Sequence, residues 1–160
     1  MKRVYIKEEV CMGCGLCEVY CQLQHSLSKD LVKAFNRETP KALPRAKVER
    51  NGPVSLSLRC QQCTDTPCVF ACLTGALSRD TITGIVNVDE EKCVGCGTCT
   101  LACPFGAIKQ DNLRGKAVKC DLCQDEEIPV CVANCPNEAL ILVEIEEEAL
   151  NSKAAMISIK

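Results

Sequence analysis

Sixteen cysteines in 160 residues fall into four runs of four, with none left over. Run one is Cys11, Cys14, Cys17 and Cys21. Run two is Cys60, Cys63, Cys68 and Cys72. Run three is Cys93, Cys96, Cys99 and Cys103. Run four is Cys120, Cys123, Cys131 and Cys135. Thiolates are soft anionic ligands that select iron–sulfur clusters and zinc. At four sulfur ligands per cluster, sixteen thiolates fill the shells of four 4Fe–4S clusters. A chain holding four one-electron carriers is built to move electrons.

The spacing sharpens this reading. Runs one and three are C-x2-C-x2-C-x3-C. Three cysteines at three-residue steps on a tight loop wrap one cube, each thiolate reaching a different iron. The fourth follows too soon to complete that cube comfortably. In the bacterial ferredoxin run it ligates the other cluster of a pair, and a proline then turns the chain away. Cys103-Pro104 and Cys135-Pro136 carry that proline; Cys21 and Cys72 do not. Gly13, Gly15, Gly95 and Gly97 permit unusual dihedrals and let backbone N–H groups approach the sulfurs. Runs two (C-x2-C-x4-C-x3-C) and four (C-x2-C-x7-C-x3-C) have longer loops without such glycines, so the four potentials are expected to differ. Pairs of C-x2-C also build zinc sites, but four cysteines per run and the ferredoxin proline argue against zinc. A secreted disulfide scaffold is the other use of many cysteines. Against it, Met1 to Glu9 is charged throughout, with neither a signal segment nor a twin-arginine pair. No apolar stretch approaches the ~20 residues of a membrane span. These features read as a soluble, cytoplasmic chain in a reducing compartment.

The elements that must position these sulfurs are short. There is no Trp, with two Tyr and three Phe, so a conventional core would be poor and the clusters are expected to staple the fold. A unit recurs after three runs: Cys72-Leu73-Thr74-Gly75-Ala76-Leu77, Cys103-Pro104-Phe105-Gly106-Ala107-Ile108, and Cys135-Pro136-Asn137-Glu138-Ala139-Leu140. A final cysteine, a turn, then Ala and an aliphatic residue open a strand. Run one departs from it and is expected to continue as helix past Cys21. Hairpins are expected from Ala76 to Val88 around Asp80–Gly84, and from Ala107 to Lys119 around Asn112–Gly115. Val4-Tyr5-Ile6 and Ile141-Leu142-Val143 are apolar ends that could pair. Ser26 to Asn36 suits a helix capped by Ser26 or Ser28, with Leu27, Leu31, Val32 and Phe35 on one face. Pro40 and Pro44 end it, and Val48 and Val54 to Leu58 read as strand. The tail beyond Glu144 reads as a docking element or a frayed end.

The four-run pattern resembles the four-cluster ferredoxin-like electron-transfer subunits, including the iron–sulfur subunits of the dimethyl-sulfoxide-reductase and formate-dehydrogenase families. It looks most similar to the short soluble forms associated with carbon monoxide dehydrogenases, because the chain is short and carries Cys-Asp-Leu-Cys and Pro-Val-Cys-Val-Ala-Asn-Cys-Pro at run four. The resemblance implies an α+β fold of two pseudo-symmetric bacterial-ferredoxin-like dicluster modules, one inserted in the other, with small hairpins and short helices around the clusters. The outer module would be residues 1–51 plus 107–145, the inner one 52–106, and 146–160 a tail. It also implies crossed ligation. Cys11, Cys14 and Cys17 would share a cluster with Cys135. Cys120, Cys123 and Cys131 would share one with Cys21. Cys60, Cys63 and Cys68 would join Cys103, and Cys93, Cys96 and Cys99 would join Cys72. The implied partners are a catalytic oxidoreductase subunit and a flavin- or NAD(P)-linked acceptor. Carbon monoxide dehydrogenase with a flavin NAD(P) oxidoreductase is favoured. A tungsten or molybdenum aldehyde oxidoreductase, formate dehydrogenase or hydrogenase is the alternative, with filament assembly a further role.

Other residues read more plainly. Arg59, Lys92 and Lys119 each precede the first cysteine of a run and read as solvated cations beside anionic clusters. Asp125-Glu126-Glu127 reads as a solvated loop. His25, the only histidine, reads as a surface or helix residue. No Rossmann fingerprint, phosphate loop or Ser/His/Asp set is present, so the chain is expected to bind neither flavin nor NAD and to be non-catalytic. Formal net charge is −2 at pH 7. Four oxidised clusters with their thiolates would take it to about −10, which excludes nucleic acid as a partner.

Overall fold

The computed structural model describes residues 1–145; the expected tail at 146–160 lies outside them. The described chain is a small mixed α/β fold of short helices and hairpins. In chain order the elements are β1 (Lys2–Ile6), α1 (Leu16–Gln24), α2 (Leu31–Asn36), β2 (Lys47–Asn51), β3 (Val54–Leu58), α3 (Pro67–Phe70), β4 (Leu77–Arg79), β5 (Val86–Val88), α4 (Thr98–Ala102), β6 (Lys109–Asp111), β7 (Lys116–Val118), α5 (Val130–Ala133) and β8 (Leu140–Glu144). The strands form four antiparallel pairs: β1–β8, β2–β3, β4–β5 and β6–β7.

The two apolar chain ends pair as their pattern suggested. Val4 stands opposite Leu142 and Ile6 opposite Leu140. The Met1 ammonium adds a bond to the Ile145 carbonyl at 2.9 Å. Both hairpins expected from the sequence form, and they share one turn chemistry. Asp80 Oδ1 accepts from the backbone N–H of Ile82 and Thr83, and Gly84 N–H returns to Asp80 O at 2.9 Å. Asp111 Oδ1 accepts from Leu113 and Arg114, and Gly115 N–H returns to Asp111 O at 2.7 Å. A short acidic side chain competes for the backbone at the first residue, and a glycine closes the turn at positive φ.

The repeated Ala-aliphatic unit proves to be the core. Ala76, Leu77, Ala107, Ile108, Ala139 and Leu140 are all buried. Ala76, Leu77 and Ile108 serve one apolar cluster and Leu140 a second. One holds Leu77, Val86, Ile108 and Ala117 with Cys68, Cys93 and Cys99. The other holds Val4, Ile85, Leu122 and Leu140 with Cys17, Cys120 and Cys131.

Run one does continue as helix, through α1. The helix expected over 26–36 is shorter. It begins at Leu31 on Asp30, whose side chain accepts from Lys33 N–H at 2.9 Å. Ser26 and Ser28 cap nothing helical. Ser26 Oγ donates to Leu23 O at the end of α1, and Glu38 takes the N–H groups of Leu27 and Ser28. Those bonds hold 26–30 as a turn. The expected apolar face is not inside either: Leu27, Leu31 and Val32 are exposed, and Ala34 alone of α2 is buried.

Leu140 is 3% exposed and links β8 to the second cluster. Leu140→Ala is expected to cost about 2–5 kcal/mol, read as an earlier anoxic denaturant midpoint. Leu113→Ala, at a side chain 80% exposed, should stay within about 0.5 kcal/mol.

Candidate functional site

Three cavities are each lined by four cysteines. The loop of run one turns on Gly13 and Gly15, both at positive φ, and α1 starts directly after Gly15. Cys11, Cys14 and Cys17 thereby face one space, and Cys135 supplies the fourth thiol. Run three repeats the device with Gly95, Gly97 and α4. Cys93, Cys96 and Cys99 line a second cavity together with Cys72. Cys60, Cys63 and Cys68 line a third cavity with Cys103. In each case the last cysteine of a run lies in another run's cavity.

The remaining four gather where α1 packs on α5. Burial pushes the Cys131 thiol up to about 11 and that of Cys123 up to about 12, and raises Cys120 as well. Cys21 adds its negative charge at all three. Cys21 moves the opposite way. Burial would raise it, but bonds from His25 and from the backbone N–H of Arg45, at 3.1 Å, hold it low.

Runs two and four lack the glycines and bend by other means. Gln62, Thr66, Leu122 and Cys123 take positive φ as ordinary L-residues, which is strained backbone. Gln62 shows how the strain is held: its amide donates to Cys120 O and accepts from Val86 N–H, both at 2.9 Å.

Further backbone N–H groups aim at sulfur: Ala107 on Cys103 and Ala117 on Cys93, each at 3.4 Å. Such donors stabilise charge on a ligated thiolate. The β2–β3 hairpin supports run one from outside. Its buried face carries serines rather than Val and Leu, because Ser55 Oγ donates to Cys11 O at 2.6 Å and Ser57 Oγ stands 3.3 Å from Cys17 Sγ.

A set of four soft sulfur donors around one cavity suits a polynuclear iron–sulfur group. Among the described residues no three Cys, His, Asp or Glu side chains converge on a single ion position.

A family described as 4Fe-4S dicluster domain matches residues 54–145, more than half of the chain. The chain belongs to the 4Fe-4S dicluster family. Relatives of this dicluster protein carry consistent names. Electron transport protein HydN of Escherichia coli (strain K12) is 40% identical over 151 residues, 84% of this chain and 83% of HydN. Thiosulfate reductase electron transfer subunit PhsB of Salmonella typhi is 34% identical over 158 residues, 89% of this chain and 76% of PhsB. Among solved structures, the active site complex BamBC of benzoyl coenzyme A reductase has the same fold, with a TM-score of 0.50 at 23% identity over 92% of this chain and 80% of that one. This dicluster protein is an iron–sulfur electron-transfer protein, and among its described residues no helix is long and apolar enough to cross a membrane.

Several residues around the sulfurs escaped sequence reasoning. Arg59 and Lys119 are buried at 2% and 3% exposure, contrary to the solvated cations expected; Lys92 alone is solvated, against Asp89. His25 ends α1 half-buried. Its Nδ1 bonds Cys21 O at 2.7 Å, and its Nε2 faces Asp121 at 3.4 Å. Burial opposes the imidazolium, yet Asp121 and Cys21 raise its pKa to about 9. Asp121, which also binds Arg45, is held well below the usual carboxylate range: burial alone would raise it, but His25 and Arg45 outweigh that. The flag for Asp121 was its place inside Cys-Asp-Leu-Cys. The acidic loop reads as expected, exposed, with Glu126 accepting from Gln24.

Two outcomes are expected. A methyl carbon on Gly95 would stand 2.1 Å from Gly115 O, whereas one on Gly15 meets nothing within 4 Å. Gly95→Ala should therefore purify with less iron than Gly15→Ala; equal contents would contradict the close approach. In addition, burial keeps Cys68, Cys120, Cys123 and Cys131 protonated above the ordinary thiol value of 9.0, and ligation needs the thiolate. A raised pKa means less thiolate at neutrality and more as pH climbs. Iron uptake by the metal-free chain, followed by visible absorbance, should accelerate from neutral toward alkaline pH.

Proposed function

We propose that the chain binds four 4Fe–4S clusters and relays single electrons between a catalytic oxidoreductase subunit and its acceptor, without catalysing a reaction itself. What supports this reading is that three cavities each gather three cysteines of one run and the last cysteine of another, which leaves Cys120, Cys123, Cys131 and Cys21 as a fourth set of the same make-up. The ligand sets are Cys11, Cys14, Cys17 and Cys135; Cys120, Cys123, Cys131 and Cys21; Cys60, Cys63, Cys68 and Cys103; and Cys93, Cys96, Cys99 and Cys72. Each bound cluster supplies one-electron chemistry at a potential set by its surroundings.

The protein's own part is mechanical and electrostatic. The exchanged cysteines tie the clusters of a pair to a short, fixed separation. Runs one and four form the outer module (1–51 plus 107–145), and runs two and three form the inner one (52–106). Two separate apolar cores fit two modules, although they cross these bounds: Ile108 and Ala117 pack in the core of runs two and three, and Ile85 in the core of runs one and four.

For the catalytic partner, the short chain and its run-four motif favour carbon monoxide dehydrogenase working with a flavin NAD(P) oxidoreductase. The likeness to an electron transfer subunit of thiosulfate reductase favours a second reading, in which the same relay serves another oxidoreductase. A tungsten or molybdenum aldehyde oxidoreductase, a formate dehydrogenase or a hydrogenase falls in that class.

Anaerobically purified protein is expected to hold about sixteen iron and about sixteen acid-labile sulfide per chain, with spin-coupled EPR signals on reduction. About eight iron would sink the four-cluster reading. Anoxic affinity capture from the native host separates the two partner readings by the catalytic subunit recovered.

A further inference from the structure

Building on the four-cluster reading, we infer that Arg59 and Lys119 are a crossed pair of buried cations. Each is anchored beside the run it precedes, and each raises the potential of clusters belonging to the other module.

The geometry of the two is parallel. Arg59 precedes Cys60 of run two, but its Nη2 donates at 2.9 Å to the carbonyl of Ser57, a residue lining the run-one cavity. Its Nε and Nη1 are buried with no partner. A guanidinium has five N–H donors and no acceptor, so most of its donors await a group outside the protein atoms. Lys119 precedes Cys120 of run four, but its Nζ donates to the carbonyl of Val86, a residue lining the run-two cavity, and at 2.8 Å to Cys120 O. Gln62 bonds Cys120 and Val86 from the other side and so locks the two backbones together.

Among the described residues neither cation has a carboxylate partner. An uncompensated buried charge is costly, so the compensation must come from sulfur. Arg59 reaches the cavity of run one through Ser57, and Lys119 reaches that of run two through Val86. Each cation therefore acts across the boundary between modules. A fixed positive charge in a low-dielectric interior favours the more negative, reduced state of a nearby cluster.

The experiment is an EPR-monitored redox titration of iron-loaded protein, with signals assigned by Cys17→Ser for the outer pair and Cys68→Ser for the run-two cluster. Arg59→Met should shift the reduction equilibrium of the outer signals at least tenfold toward the oxidised form, which is 59 mV for one electron. Arg59→Lys should recover most of that shift. Lys119→Met should shift the run-two signal instead. Shifts confined to the adjacent run in sequence, or no shift at full iron content, would overturn the inference. So would both neutral variants failing to load iron while the wild type loads fully, since the cations would then be structural. A wild-type chain lacking the full iron content fails the underlying four-cluster reading instead.

Discussion

Crowding sixteen sulfurs into so small an interior is the constraint on which everything else depends. As neutral thiols they are tolerable, and burial keeps many of them neutral, with Cys68 and Cys131 raised to about 11. As thiolates they would repel one another at close range in a medium that screens charge poorly. Multivalent iron resolves the conflict. It accepts the sulfurs as anions and turns their mutual repulsion into shared bonds. The apolar clusters bear this out, since Cys17, Cys120 and Cys131 pack beside Val4 and Leu140 where a larger protein would place Leu or Phe. Iron loading should therefore add to the stability of the fold.

The second theme is exchange. In the three cavities the closing cysteine arrives from elsewhere in the chain: Cys135 for run one, Cys72 for run three, Cys103 for run two. A short helix delivers it each time, and the following turn feeds an Ala-aliphatic pair into the core. One local unit therefore closes a neighbour's site and builds the packing beneath it. That dual use lets a chain without Trp hold a defined shape.

Much of this was legible because cysteine spacing and turn chemistry are local. Asp80 with Gly84, and Asp111 with Gly115, announce their hairpins within five residues. The apolar ends, though distant, carry matching patterns. What stayed hidden depends on partners far along the chain. Ser57 looks like the outer face of an alternating strand until Cys17, forty positions earlier, is placed beside it. Gln62 is an unremarkable glutamine until Cys120 arrives, 58 positions later. Arg59 and Lys119 read as solvated because lysine and arginine are almost never fully buried without partners. The start of α2 was misjudged because two serines and an aspartate competed for the same cap, and Glu38 drew the serine segment into a turn.

The pairing of β1 with β8 bears on biosynthesis. A ribosome releases the chain from its N-terminus, so Cys11, Cys14 and Cys17 emerge well before Cys135 and the strand that shields β1. The sites shared by runs two and three have all their sulfurs well before that. The first thiols made thus wait longest for enclosure, and they face oxidants and stray metals throughout translation.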